Sequence, residues 1–217
     1  MIAIHGATGK LGQLICLEAN KSSKKILPLS RQSDLYRELK SGIEGVIDVS
    51  SAEGLGTLLQ HIPQNTPLLV GTTGALPWKE LERHAQTAPT AVVPNFSTGI
   101  PLLLELLSQA VKTLPKGWDI EVVEAHHNQK KDAPSGTAKR IVSAINTAEL
   151  QHGKGISNVP THSLRVGDTF GEHTVWLCGP GERLELKHVA TQRSVFATGA
   201  LRWYDWLQKQ TPGLIKP

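Results

Sequence analysis

Met1-Ile2-Ala3-Ile4-His5-Gly6-Ala7-Thr8-Gly9-Lys10-Leu11-Gly12 opens the chain and decides its fold. Met1 to His5 reads as a short buried strand that runs directly into a glycine turn. Leu11, Leu14, Ile15 and Ala19 then keep helical spacing. Strand, glycine loop and helix are the setting in which a turn cradles a pyrophosphate on the first amides of a helix. The spacing is G-x-x-G-x-x-G, a variant of the stricter G-x-G-x-x-G, and such turns also follow strands that bind nothing. Gly6, Ala7, Thr8, Gly9, Lys10 and Leu11 are the candidate nucleotide contacts.

Strand and helix patterns go on alternating. Residues 26–29 read as a strand followed by Ser30-Arg31. A site selective for NADH usually places Asp or Glu here to accept from the ribose hydroxyls. A guanidinium instead suits a 2′-phosphate, so Arg31 predicts that NADPH binds at least as well as NADH. Residues 45–50 form a strand and 53–61 a helix. The strand over 67–70 ends in Gly71-Thr72-Thr73-Gly74, at the carboxyl end where a cofactor crevice lies. A helix over 76–88 follows, then a strand over 90–93 ending in Pro94-Asn95-Phe96-Ser97. This alternation predicts an α/β, Rossmann-like, doubly wound parallel sheet.

The second half has a different rhythm. An apolar helix over 102–111 leads into strands over 118–125, 162–166, 172–178 and 183–190. Gly179-Pro180-Gly181-Glu182 marks a hairpin turn and hence antiparallel pairing. Residues 151–161, rich in Gly, Asn, Ser and Pro, read as a long loop. Ser194 to Leu207 is a last helix. These elements predict a second α+β domain with a mixed or antiparallel sheet.

Within that half lies Glu124-Ala125-His126-His127-Asn128-Gln129-Lys130-Lys131-Asp132-Ala133-Pro134-Ser135-Gly136-Thr137-Ala138. A strand leads in, and a helix with Ala138, Ile141, Val142, Ile145 and Ala148 on one face leads out. The first amides of that helix have no internal partner and carry partial positive charge. Ser135, Gly136 and Thr137 there can hold a carboxylate or phosphate, or Ser135 can simply cap the helix. Adjacent residues on a strand face opposite ways, so His126 and His127 have separate tasks. Lys130 is placed to donate a proton or pair with an anion. With neither cysteine nearby, and two neighbouring histidines badly spaced to chelate one ion, proton transfer or anion binding is favoured and no metal is expected.

The same run resembles the signature of the dihydrodipicolinate reductase family, also called 4-hydroxy-tetrahydrodipicolinate reductase. The resemblance implies that His126 and Lys130 are the catalytic pair, and that His127, Gly136 and Thr137 contact the dicarboxylate substrate. It also sets Gly71-Thr72-Thr73 beside the nicotinamide, with Asn95-Phe96 in a second such loop, where this chain has Pro94 in place of a common alanine. It implies NADPH or NADH as cofactor, a homotetramer, a place in lysine and diaminopimelate biosynthesis, and a cytoplasmic enzyme. The last helix would return to the cofactor domain, giving residues 1–96 with 194–217 as one domain and 97–193 as the other. The chain is shorter than most family members between the glycine loop and Gly71.

Composition bounds the alternatives. The 217 residues hold 23 basic and 19 acidic side chains, a net charge of +4, and 5% aromatics. A mild positive excess suits an anionic substrate, but no basic block suggests nucleic acid. No apolar stretch approaches the ~20 residues of a membrane span, and the N-terminus lacks the pattern of a signal peptide. Cys16 and Cys178 read as two buried thiols of a reducing compartment. Two rival readings remain: a similar oxidoreductase for another small anion, and a non-catalytic dinucleotide-binding regulator.

Overall fold

The computed structural model describes residues 1–40, 42–152 and 158–216. In chain order its elements are β1 (Ile2–His5), α1 (Lys10–Lys21), β2 (Ile26–Leu29), a single turn α2 (Leu35–Glu38), β3 (Gly45–Asp48), α3 (Ala52–His61), β4 (Leu68–Val70), α4 (Trp78–Ala85) and β5 (Pro89–Val92). Then come α5 (Gly99–Thr113), β6 (Asp119–His126), α6 (Gly136–Gln151), β7 (Thr161–Arg165), β8 (Glu172–Gly179) and β9 (Glu182–Val189). The chain ends with α7 (Ser194–Leu207) and β10 (Gly213–Ile215). It divides into two compact units, Met1–Phe96 with Arg193–Pro217, and Ser97–Gln192.

The first unit is a six-stranded sheet in the order β10-β5-β4-β3-β1-β2, with every pairing parallel. Alternation along the short strands sorts the core into two layers. Ile2, Ile4, Ile47 and Leu69 face one side with Ile15 and Ala19 of α1 and Ala200 and Tyr204 of α7. Ala3, Val46, Leu68 and Val70 face the other with Leu55 and Leu58 of α3 and Leu81 of α4. Each such aliphatic side chain taken from water contributes roughly 1.5–3 kcal/mol. Strands buried on both faces explain why the sequence showed apolar runs there.

The second unit holds a four-stranded sheet, β7-β6-β8-β9. β6 pairs parallel with β7 and antiparallel with β8, and β8 pairs antiparallel with β9 across the Pro180-Gly181 turn. Gly181 has φ +79°, which the turn requires and a side chain would resist. One sheet face, with Ile120, Val122, Val175 and Leu177, packs on Ile100, Leu103 and Leu107 of α5 and Ile141 and Ile145 of α6. α5 lies wholly in this unit.

Several expectations need adjustment. α4 begins at Trp78, not residue 76, because Pro77 disfavours helix at the residue before it. Its end at Ala85 precedes a turn into Pro89, the first residue of β5. The strand β10 and the turn α2 were not foreseen. β10 is three residues between prolines and is strand only because β5 offers an open edge, while α2 is one turn capped by Asp34. Cys16 and Cys178 are free, but each is only partly buried, Cys178 because it lies on the face of β8 away from the helices. Of the loop expected over 151–161, residues 153–157 lie outside the described residues.

Gly199 shows how tightly α7 is seated. A Cβ there would stand 1.8 Å from the Phe96 carbonyl oxygen. Gly199→Ala is therefore expected to cost about 3 kcal/mol by forced overpacking. Gly56→Ala, on α3 with nothing within 4 Å of its Cβ position, should gain roughly 0.5–1 kcal/mol from helix entropy. Urea unfolding followed by circular dichroism measures both.

Candidate active site

In the first unit β1 has β2 on one side and β3 on the other, so strand order reverses at β1. Ligands of open parallel sheets bind outside the strand carboxyl ends at such a reversal. A cavity of about 920 Å³ opens there, lined by His5, Gly6, Thr8, Gly9, Ser30, Arg31 and Ser50 among others. The three loop glycines have separate reasons. Gly6 has φ +87°, and a Cβ would stand 2.7 Å from the Val49 carbonyl oxygen. At Gly12 a Cβ would stand 2.1 Å from the Gly6 carbonyl oxygen, so glycine lets α1 press onto the turn. Gly9 begins α1 with no side-chain cap, no acidic residue sits in the first turn, and a Cβ there would meet only the Gly6 carbonyl oxygen, at 3.3 Å. Helix amides without a side-chain acceptor, beside a polar cavity, fit the pyrophosphate of a dinucleotide.

Arg31 lines this cavity and is exposed. Its loop is braced by the Ser30 amide donating to Ser33 Oγ at 3.1 Å and the Gln32 amide to Ser30 Oγ at 3.2 Å. Ala7 and Leu11 turn toward the core instead, and Lys10 is exposed at the first position of α1. Gly71, Thr72, Thr73, Asn95 and Phe96 do not line the cavity. Phe96 is in the core, and a Cβ on Gly71 would stand 2.4 Å from its ring, so the ring supports the Gly71 loop from beneath. Any contact from Phe96 to a cofactor is left to its backbone. Thr72 is buried and donates its hydroxyl to Asp48, while Thr73 is exposed.

Sequence reasoning missed Asp48. This fully buried carboxylate also accepts from Ser50 Oγ at 2.6 Å and bonds His5 Nδ1 at 2.7 Å. It ties the ends of β1, β3 and β4 together at the cavity rim. The available signal was one charged residue closing the apolar run Gly45-Val46-Ile47-Asp48.

In the second unit, alternation along β6 puts Ile120, Val122, Glu124 and His126 on the helix-covered face. Apolar residues fill that face until its carboxyl end, where a buried carboxylate and imidazole follow. Glu124 Oε2 is hydrogen-bonded to His126 Nδ1. Glu124 Oε1 accepts from Arg165 Nη2 at 2.8 Å and from the Ser135 amide at 3.3 Å. Arg165 also donates to the Asp132 carbonyl. His173, opposite Glu124 on β8, packs edge-on to His126 with ring centroids 5.2 Å apart. Its Nε2 lies 3.3 Å from Ser135 Oγ.

The neighbouring residues are thereby sorted. Ser135 caps α6 through its hydroxyl, which accepts from the Ala138 amide at 3.1 Å, and spends its own amide on Glu124. Gly136 and Thr137 are the first two residues of α6. Gly136 is exposed, with nothing within 4 Å of its Cβ position. His127 lies just past the end of β6 and is half-buried. Lys130 pairs with Asp132 at 2.7 Å. Arg165 and His173 both join the network around Glu124.

Electrostatics follow from burial. Desolvation pushes His126 below the ordinary imidazole value, with the charges of Lys130 and Arg165 adding and Glu124 opposing. Desolvation, aided by the charge of His126, pushes His173 down to about 4, so it is neutral near pH 7. Burial alone would raise the Glu124 carboxyl, but hydrogen bonds from Arg165 and His126 outweigh it and hold the group ionised. Glu124, His126 and His173 present ligand-type atoms within 4.8 Å of one another, close enough to hold a metal ion. The guanidinium on Glu124 argues for a proton-handling site, since a cation would compete with a charge already in place.

Comparison with known proteins bears on the family and the fold. The family model described as dihydrodipicolinate reductase, C-terminus, matches residues 99–216. A 4-hydroxy-tetrahydrodipicolinate reductase of Methanosarcina barkeri is 40% identical over 98% of this chain and 95% of its own. That of Syntrophotalea carbinolica is 35% identical over 97% of this chain and 84% of its own. Among solved structures, a dipicolinate-bound dihydrodipicolinate reductase from Paenisporosarcina sp. TG-14 shares the fold, with a TM-score of 0.71 over 99% of this chain and 96% of that one at 22% identity. Motif, fold and near full-length identity converge: the chain belongs to the 4-hydroxy-tetrahydrodipicolinate reductase family.

Proposed function

We propose that the chain reduces 4-hydroxy-tetrahydrodipicolinate to tetrahydrodipicolinate with NAD(P)H and loss of water, in lysine and diaminopimelate biosynthesis. One observation supports this reading most: Glu124 joins an imidazole, His126, to the start of a helix suited to a carboxylate. A unit so built presents an acid and an anion cradle together. A regulator that only bound nucleotide would have no use for the buried Glu124, His126 and Arg165 set. Residues 1–96 with 194–217 are the dinucleotide-binding domain in this reading, and residues 97–193 bind the substrate and assemble the oligomer.

Loss of water leaves a conjugated ring, which takes up one hydride and one proton. When bound, the reduced nicotinamide supplies the hydride. The Gly6-Gly9 turn and the first amides of α1 hold the pyrophosphate, and Arg31 meets the 2′-phosphate of NADPH. Gly71, Thr73 and Asn95 contribute to the nicotinamide end. His126 delivers the proton, and Lys130, released from Asp132, stabilises the charge that develops on the ring. His127 and the amides of Gly136 and Thr137 hold a carboxylate and fix the ring in register.

The assembly in this reading is a cytoplasmic homotetramer. Its support is the sheet face of the second unit away from α5 and α6, which carries Val123, Ala125, Leu164 and Trp176 around the Glu121–His162 pair. Leu164 is 51% exposed there, a patch of the kind subunits cover. Two free thiols suit a reducing compartment. Among the described residues no helix is long and apolar enough to cross a membrane.

Two measurements test the reading. In an assay supplying the substrate enzymatically and following NADPH absorbance, the double variant His126→Gln, Lys130→Ala should lose about 10²–10⁴-fold in kcat. Turnover at the parent rate would remove the catalytic assignment. Arg31→Ala should weaken NADPH about tenfold, the loss of one charged hydrogen-bond pair, and leave NADH within about twofold. Fluorescence titration of both cofactors reads this, and an unchanged NADPH constant would refute the role of Arg31.

A further inference from the structure

We propose that Glu124 is a positioning residue: anchored by Arg165 and the Ser135 amide, it fixes His126 with Nδ1–H toward the carboxylate, so that Nε2 is the atom that delivers the proton. This deepens the assignment of His126 as acid and rests on it.

The argument is one of valence. An ionised carboxylate only accepts, so a hydrogen bond between Glu124 Oε2 and His126 Nδ1 requires the proton on Nδ1. Glu124 cannot turn away, because its other oxygen is held by Arg165 Nη2 at 2.8 Å and the Ser135 amide at 3.3 Å. It is fully buried, so water does not compete for it. With Nδ1 spoken for, Nε2 is the remaining functional atom. In neutral His126 it is a lone pair, and in the imidazolium it is the one proton not shared with Glu124.

Gly171 completes the arrangement. A Cβ there would stand 3.2 Å from His126 Nε2 and 3.8 Å from the His173 ring. Glycine therefore leaves Nε2 uncovered on that side, and its φ of +147° is one that L side chains rarely adopt. His173 covers another side of the imidazole as an edge-on neutral ring. Its Nε2 faces Ser135 Oγ, so it does not compete for the Glu124 oxygens.

Charge and geometry point the same way. The groups facing His126 are Glu124 on its own strand, Arg165 from β7, His173 from β8, and Lys130 and Asp132 from the loop before α6. The acidic groups among them are Glu124, hydrogen-bonded to the ring, and Asp132, which is paired with Lys130. Removing the Glu124 charge therefore takes away the group that chiefly opposes Lys130, Arg165 and burial, and the imidazolium becomes harder to form. The sign is definite: His126 loses its proton at lower pH in the variant than in the parent.

The test uses the intact protein with ¹⁵N-labelled histidine. In the parent, above its titration, the His126 ring is expected as the Nδ1–H form with an unprotonated Nε2. Glu124→Gln, a near-isosteric change, should give a mixture of tautomers. The alkaline limb of its kcat/KM profile should move down by at least about one pH unit. kcat should fall about 10²-fold with the substrate KM within about twofold. Loss of kcat with the parent tautomer and pH profile intact would mean a merely structural role and overturn the proposal. An Nε2–H tautomer in the resting parent would overturn it without any variant, so the test survives a Glu124→Gln protein that does not fold. Failure of His126 as acid shows separately, as turnover retained in His126→Gln whatever tautomer the spectrum reports.

Discussion

The second unit depends on how one buried charge is satisfied. A carboxylate removed from water is tolerated only when its oxygens are filled, and Glu124 meets this with donors from three elements: Arg165 of β7, the Ser135 amide at the start of α6, and His126 of β6 itself. Removing one partner of such a pair typically costs about 3–5 kcal/mol, since the remaining charge is stranded. The expense does more than hold the sheet edge. It sets the start of α6, where Gly136 and Thr137 follow, and the ring of His126, in one connected arrangement. The start of α6 and the ring of His126, proposed as anion cradle and acid, are thus both tied to the same carboxylate.

Asp48 plays a corresponding part in the first unit. It too closes a buried strand, with His5, Ser50 and Thr72 on its oxygens. The chain segments it joins are those at the rim of the cavity in that unit. Both units therefore place a satisfied carboxylate at a strand's carboxyl end. That is where strand hydrogen bonding stops and side chains must take over the job of fixing loops. The apolar residues before each one supply stability, and the carboxylate supplies direction.

This division explains what the sequence disclosed. The glycine loop, the alternation of strands and helices, the Gly179–Glu182 turn and the helix Ser194–Leu207 are local patterns, and the structure has them. The parallel pairing of the first sheet followed from the same alternation. His126 and Ser135 lie in the same run as Glu124, but Arg165 was hidden because it is 41 residues on, and no periodicity announces it. Thr72 and Phe96 illustrate the other limit. Their motif matched a nucleotide loop, yet which way each side chain turned depended on Asp48 and on the Gly71 and Gly199 contacts. β10 was invisible for a similar reason, since its three residues are strand only where β5 leaves an edge.

The cluster of Glu124, His126 and His173 shows why composition of a site does not settle its chemistry. Three ligand-type groups within 4.8 Å would serve a divalent ion if they were free to point at it. Here the carboxylate is bound to a guanidinium and an amide, and one imidazole is bound to the carboxylate. The second imidazole faces a serine hydroxyl that is itself the cap of α6. To ligate an ion through Glu124, the cluster would have to share a carboxylate already held by Arg165, the Ser135 amide and His126. The same connectivity leaves His126 Nε2 beside Gly171, and the buried Nδ1 of His173 has no hydrogen-bond partner among the described residues. A ring whose Nδ1 is fixed on a carboxylate suits proton delivery through Nε2; carboxylates fix metal-bound histidines in the same way, so what favours proton handling here is the guanidinium already on Glu124.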